Sequence, residues 1–185
     1  MDASSARLGS FVSSVLTQTV NLRARIDPPL SESCAGNLLW LAMAPGSDQI
    51  GLHDLVKEIR KSIKKFDREH VRKMQGESGF PLIFESLKQI VELVSANMDI
   101  YRFTSLGKFQ LYKADFGWGK PVWVSSAGLI FKNVVVLMES RYGDGIEASV
   151  TMEEKDTGVF ERNQELLAFA SATESPSCPL PNSRL

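Results

Sequence analysis

Apolar and polar residues alternate along residues 14–26, so that Val20, Leu22 and Ile26 share one face and Arg23 and Arg25 share the other. A period of two is typical of a half-buried β-strand. The predicted strand stops at the two prolines that follow Asp27, because proline has no N–H to donate to a strand ladder. A loop and a short apolar stretch come next, over residues 30–37 and 38–43.

Two amphipathic helices are predicted in the middle of the chain, over residues 52–74 and 81–98. In both, apolar residues recur every three or four positions, as on one face of a helix. The predicted inner face of the second helix consists of Ile83, Phe84, Leu87, Ile90, Val91 and Val94.

The chain then returns to short apolar runs, which predict strands over residues 100–105, 122–126, 133–140 and 145–152, and a closing helix over residues 153–170. A turn around Gly143 joins the last two strands, because glycine supplies the positive φ of a tight hairpin.

These elements indicate an α+β domain, a two-layer α/β sandwich in which helices pack on a mixed sheet. We expect the domain to span residues 11–170. It lies between a poorly ordered start at residues 1–10 and a Ser/Pro-rich, disordered tail at residues 171–185.

Composition excludes several classes of function. The 21 Lys and Arg residues are balanced by 22 Asp and Glu residues, which argues against a general nucleic-acid binder. No apolar run is long enough to predict a membrane span. Cys34 and Cys178 are far apart and the chain has only two histidines, so neither a disulfide framework nor a zinc site is predicted, and no other metal site. A reducing, cytoplasmic setting is the expectation.

Little of the chain suggests catalysis. The basic run over residues 57–73 occupies the face opposite the apolar side of its helix, which is typical of a solvated surface. His53 and His70, the only imidazoles, have no nucleophile nearby in sequence, and we expect surface or capping roles for both.

The segment from Asp115 to Pro121 is the most distinctive in the chain. Two glycines, Gly117 and Gly119, flank an indole, and their tight turns could direct the ring inward. A carboxylate beside such apolar surface needs a cationic partner. We therefore predict an ion pair between Asp115 and Arg23 or Arg25, with a structural rather than an acid–base role.

This segment resembles the DFGWG signature of plant BAHD acyltransferases. The resemblance to the family extends over residues 10–170. The sequences of the matching segments are most similar to the vinorine synthase-like, alkaloid O-acetyltransferase branch of the family. The matching segments are residues 20–25, 28–30, 36–40, 101–105, 134–138, 143–148 and 160–169.

The resemblance implies a chloramphenicol-acetyltransferase-like domain. It also implies transfer of an acyl group, most simply acetyl, from acyl-CoA as co-substrate to a hydroxyl of a small-molecule acceptor, with no bound cofactor. Members use the histidine of an HxxxD motif as general base. Neither histidine here has Asp four residues later, because Lys57 follows His53 and Met74 follows His70.

We therefore expect the chain to be the C-terminal half of an acyltransferase, with no catalytic residue of its own. This half should be inactive alone and prone to self-association, whereas the intact enzyme should be a monomer. The site residues that the resemblance supplies are structural: Asp115, Phe116, Gly117, Trp118, Gly119, Arg23 and Arg25. Leu106 and Lys108 stand where the family commonly has Trp and Arg.

Two other functions are compatible with the sequence. The chain could be a non-catalytic half-domain that binds a partner protein such as an intact homologue. Alternatively, the basic helix could be a nucleic-acid module, which we rank last because no aromatic residue interleaves with its charges.

Overall fold

The computed structural model describes residues 14–46, 50–96, 98–126 and 131–172. The predicted poorly ordered start at residues 1–10, Cys178 and nearly all of the predicted tail lie outside the described residues.

A five-stranded mixed sheet organises the chain, with strand order β2–β1–β3–β4–β5. Its central pairs, β1 with β3 and β3 with β4, are parallel, whereas the outer strands β2 and β5 pair antiparallel. The α+β architecture predicted from the sequence is therefore confirmed. The strands are β1 (Ser14–Asn21), β2 (Leu39–Gly46), β3 (Asp99–Ser105), β4 (Val134–Glu139) and β5 (Ile146–Thr151).

Five α-helices accompany the sheet in the described residues: α1 (Leu52–Lys64), α2 (Arg68–Lys73), α3 (Phe80–Ser95), α4 (Glu154–Glu161) and α5 (Gln164–Leu167). The single helix predicted over residues 52–74 is wrong, because Asp67 caps a new helix and its carboxylate accepts a hydrogen bond from the N–H of His70 at 2.8 Å. Asn163 divides the predicted closing helix in the same way, accepting from the N–H of Leu166 at 3.0 Å.

Two strand predictions also need correction, and one apolar stretch with no predicted element proves to be a strand. The first strand ends at Asn21, whose side chain accepts from the N–H of Arg23 at 3.0 Å and turns the chain into a 3-10 helix, Arg23–Arg25. The apolar stretch at residues 38–43 forms the edge strand β2. Residues 122–126 are not a strand. By contrast, the hairpin of β4 and β5 is present, with Gly143 at φ 72° in its turn.

The best-buried core lies where the helical segment covers the β1–β2 side of the sheet. Val20, Leu22 and Ala42 contribute from the sheet region, and Phe66, Val71 and Met74 come from around α2. Burial of such apolar side chains is the main source of stability, at ~25 cal/mol per Å². This core therefore fixes α1 and α2 on β1 and β2.

Helix α3 contacts this core only near its beginning, through Leu82 and Ile83. The prediction that the inner face of this helix is buried is wrong for four of its residues, since Phe84, Leu87, Val91 and Val94 are exposed. With Phe80 they form a row at alternating spacings of four and three residues, which we call the apolar stripe. Its side chains are 48–68% exposed, and the rings of Phe80 and Phe84 stack at 6.2 Å between centroids.

Within the described residues, no helix combines the length and the hydrophobicity that are needed to cross a bilayer.

The apolar stripe should drive self-association of the 185-residue chain, because a row of exposed apolar side chains gains by being covered. Sedimentation velocity should show oligomers that Leu87→Glu, within the stripe, converts to monomer. Gln89→Glu adds the same charge elsewhere on α3 and should leave them intact. A wild-type chain that stays monomeric at high concentration would contradict this expectation.

Candidate functional site

The loop of residues 115–119 lies between β3 and β4, after two 3-10 turns, Gly107–Phe109 and Leu111–Lys113. The Asp115 carboxylate accepts hydrogen bonds from the N–H groups of Gly117 at 2.8 Å and Gly119 at 3.1 Å. Both glycines have positive φ, 103° and 105°, where a side chain would be strained. Asp115 and the two glycines therefore determine one backbone conformation together.

The aromatic side chains of this loop point outward. Phe116 is 75% exposed and Trp118 is 84% exposed, and their rings stack on each other with 5.8 Å between centroids. The expectation that the indole is directed inward is wrong for this structure. Because the glycines satisfy the carboxylate locally, the turn does not require a buried ring to hold its shape.

The expected ion pair between Asp115 and Arg23 or Arg25 is not formed among the described residues. Arg23 instead donates to the carbonyls of Cys34 at 3.0 Å and Gly36 at 2.5 Å, which holds the loop before β2. Asp115 is exposed, so water and backbone amides replace the cationic partner that burial would have demanded.

Arg25 serves the end of a helix. Its guanidinium donates to the carbonyls of Ile63 at 2.9 Å and Phe66 at 2.6 Å, just where α1 stops. The last carbonyls of a helix have no partner within it, and a cation there also interacts favourably with the helix dipole. The two arginines therefore have different roles. In the 3-10 helix their side chains reach different segments, Arg23 the loop before β2 and Arg25 the end of α1.

The pKa of Asp115 is lowered from its usual value. The largest cause is the hydrogen bond from Gly117, followed by the one from Gly119, and the nearby Lys120 charge acts in the same direction. Hydrogen bonds from N–H groups favour the ionised form of a carboxyl group. Asp115 is therefore a carboxylate throughout the physiological pH range, which suits a structural acceptor and not a general acid.

A tyrosine that the sequence analysis did not single out closes the base of this loop. The Tyr112 hydroxyl donates to the Glu147 carboxylate on β5 at 2.9 Å and accepts from the N–H of Val124 at 3.4 Å. Burial raises the pKa of Tyr112, and the hydrogen bond to Glu147 raises it further. One hydroxyl thereby joins the two ends of the segment of residues 112–124 and ties them to the sheet.

The histidines lie on the helical side of the molecule. His53 is exposed in the first turn of α1, which fits the surface role expected for it. The His70 ring packs edge-on against Phe66 with 5.4 Å between centroids. In the described part of the chain, no group of three His, Cys, Asp or Glu side chains is arranged to hold a metal ion. Both histidines therefore lie on helices and not in the loop of residues 115–119.

Comparison with known proteins connects this site to a family. A model of the Transferase family matches residues 2–167. A limonoid 7-O-acetyltransferase from Citrus sinensis is 36% identical over 95% of this chain and 40% of its own length. Akuammiline synthase 2 from Alstonia scholaris is 37% identical over 85% of this chain and 37% of its own length. The chain thus spans about 40% of the length of the curated relatives it matches.

Solved structures show the same fold. Vinorine synthase superposes with a TM-score of 0.69 at 28% identity, over 90% of this chain and 38% of its own. TRI101 of F. sporotrichioides, in a complex with coenzyme A and T-2, superposes with a TM-score of 0.64 at 15% identity, over 91% of this chain and 42% of its own. The predicted acyltransferase-type fold is confirmed by these likenesses.

Replacement of Asp115 should change the loop locally. Asp115→Ala removes the acceptor, so the amide resonances of Gly117 and Gly119 should shift upfield in NMR spectra. Asp115→Asn keeps an oxygen in the same place and should largely preserve them. The global melting temperature should change little, because the carboxylate is exposed.

The same amide resonances should show the pH at which protonation of Asp115 weakens the turn. Since the folded pKa lies below the ordinary value of 3.8, the stabilisation by the carboxylate is complete above 3.8 and is lost as pH falls through the folded pKa. Glycine resonances that ignore both Asp115→Ala and acid would contradict the geometry of this turn.

Proposed function

Because the chain belongs to the Transferase family of BAHD acyltransferases, we propose that it is the C-terminal part of an O-acyltransferase that uses acyl-CoA. The donor is acetyl-CoA, and the acceptor is a hydroxyl of a plant specialised metabolite such as a limonoid or an alkaloid. The observation that carries the proposal is the likeness, along nearly the whole chain, to relatives that are named as acetyltransferases.

The proposed reaction is acyl transfer by general-base catalysis. A base takes the proton of the acceptor hydroxyl, whose oxygen attacks the thioester carbonyl carbon. The tetrahedral intermediate then expels the CoA thiolate as the C–S bond breaks, and the thiolate takes up a proton. We assign the base to the histidine of an HxxxD motif outside these 185 residues, since neither His53 nor His70 has Asp four residues later.

Under this proposal, the described residues supply architecture. Asp115, Phe116, Gly117, Trp118 and Gly119 shape one wall of the substrate channel, and Arg23 and Arg25 hold the segments that flank β1 and α1. The contacts that support these roles are the hydrogen bonds of Asp115 to the two glycines and of the arginines to backbone carbonyls. The intact enzyme would act as a monomer in the cytoplasm.

A second candidate function is binding of a partner protein without catalysis. The apolar stripe of α3 supports it, because a row of exposed apolar side chains is typical of a surface that another protein covers. An intact homologue is the partner that this alternative proposes.

A chimera distinguishes the two functions. In the Citrus limonoid 7-O-acetyltransferase, the 40% that matches this chain would be replaced by it. We expect the chimera to acetylate a limonoid alcohol from acetyl-CoA, and the isolated 185-residue chain to give no turnover. A chimera in which the relative's HxxxD histidine is alanine is the inactive control.

Two results would overturn the proposal. A folded chimera that binds acetyl-CoA but transfers nothing, together with a tight complex between this chain and the intact relative, would favour the partner-binding function. Turnover by the isolated chain that survives substitution of both His53 and His70 would show that the base is misassigned.

A further inference from the structure

The basic run over residues 57–73 concentrates positive charge in one helical segment. It holds eight Lys and Arg residues against three Asp and Glu residues, a net charge of +5, whereas the whole chain carries −1 and the remainder therefore −6. All eight cations are exposed. A solvated helix face needs polar side chains but does not need them to have one sign, so this asymmetry favours an anionic partner.

The eight exposed cations, which we call the basic face, lie on the outer surface of α1 and α2. Helix α1 is about 20 Å long, and its four cations recur with the spacing of a single helix face, at Lys57, Arg60, Lys61 and Lys64. Elsewhere on its surface, α1 packs on β2 and adds Ile63 to the core, and α2 buries Val71 in the same core. Because both helices bury their apolar side chains in one core, their cations are directed away from it.

Much of this charge is not neutralised within the chain. Lys57, Lys61 and Lys73 pair with acidic residues of their own helices. Across the residues that the structure describes, the other five cations of the basic face are in no ion pair. No apolar or aromatic side chain of residues 57–73 is exposed, so the face has neither the anchor residue of a typical protein interface nor a base-stacking ring. Diffuse charge of this kind suits a surface whose own charges can rearrange, such as the headgroups of a bilayer.

The apolar stripe of α3 begins next to the basic face. Gly79 lies so close to the carbonyl of Met74, the residue that caps the end of α2, that a Cβ at this position would overlap it. Phe80 therefore follows directly beside the end of α2, where Arg72 and Lys73 are exposed. The stacked ring pair at the start of the stripe is 59–68% exposed. Exposed phenylalanine rings beside cations are typical of a segment that lies in the interface of a membrane.

From these observations we propose that the basic face docks on the anionic surface of a lipid bilayer. Its Lys and Arg side chains interact with negatively charged headgroups, and the rings of Phe80 and Phe84 insert at the boundary between headgroups and acyl chains. Stable attachment to a membrane surface takes two signals, and here the complementary charge is one and the ring pair is the other. The inference does not rest on the acyltransferase function, and the attachment needs no membrane-spanning helix.

The test is flotation of the 185-residue chain with lipid vesicles, in which bound protein rises and free or self-associated protein does not. The chain should float with vesicles of phosphatidylcholine and phosphatidylserine but not with phosphatidylcholine alone, and added salt should weaken the binding. The double variant Arg60→Gln, Lys64→Gln should lower the affinity about 25-fold, at about fivefold for each charge removed. The matched control is Lys113→Gln, Lys120→Gln, which removes the same charge from two exposed lysines outside α1 and α2 and should leave the affinity unchanged.

The ring pair is tested by a second double variant. Phe80→Ser, Phe84→Ser should lower the affinity for the anionic vesicles at least tenfold, as expected for loss of buried apolar area. This loss should persist at high salt, because insertion of the rings is not electrostatic. Phe116→Ser is the matched control, since Phe116 is 75% exposed and lies in the loop of residues 115–119.

Several results would overturn the proposal. If the chain fails to float with the anionic vesicles, or floats equally with both kinds of vesicle, the basic face does not dock on an anionic bilayer. If the control Lys113→Gln, Lys120→Gln loses as much affinity as Arg60→Gln, Lys64→Gln, net charge and not this face is responsible. If single-stranded RNA or a polyglutamate peptide binds the chain more tightly than the anionic vesicles do, the face belongs to a nucleic acid or to an acidic protein instead.

Discussion

Pairing of β1 on both of its edges is the constraint on which the rest of the structure depends. All eight residues of β1 pair with β2, and Ser14 to Gln18 pair in parallel with β3. Strands β2 and β3 lie on opposite edges of β1, so the chain between them must pass from one edge of β1 to the other, and it does so with α1, α2 and α3. Val15, Thr17 and Val20 of β1 are buried, and the Thr17 hydroxyl donates to the carbonyl of Tyr101 at 3.3 Å.

The position of the candidate site follows from this strand by successive pairings. Strand β1 holds β3, β3 holds β4, and β4 holds β5, which carries Glu147. Through Glu147, Tyr112 attaches both ends of the loop segment to the sheet. The loop segment is therefore held against the β4–β5 hairpin by the hydrogen bond between Tyr112 and Glu147. A site of this kind can be shaped by loop residues while the sheet stays the same.

Sequence reasoning succeeded where a local pattern has one physical solution. Alternation predicted β1, and Gly143 predicted the hairpin turn. It failed where a residue had two ways to be satisfied. Asp115 could pair with an arginine or accept from its own loop amides, and exposure makes the local choice sufficient. Similarly, Asp67 and Asn163 cap the starts of new helices where periodicity alone would continue a single helix.

Helix α3 and Tyr112 show why the remainder could not be predicted. Helix α3 is apolar around much of its circumference, so its pattern indicates burial without telling which face meets the core; the structure packs Leu82 and Ile83 there and leaves Phe84 exposed. Tyr112 acts through Val124 and Glu147, which are 12 and 35 residues away in sequence. Contacts at such separations leave no periodic signal, and only the fold brings them together.

Hydrogen exchange of the backbone amides tests the central role of β1 most directly. If the sheet depends on this strand, the amides of β1 that bond to β2 and β3 should exchange only through global unfolding and be the slowest in the chain. The amides of β5 and of the loop at residues 115–119 should exchange faster, through local openings. Rapid exchange in β1 while β4 and β5 stay protected would contradict the account, because the site would then rest on a hairpin that is stable without the strand.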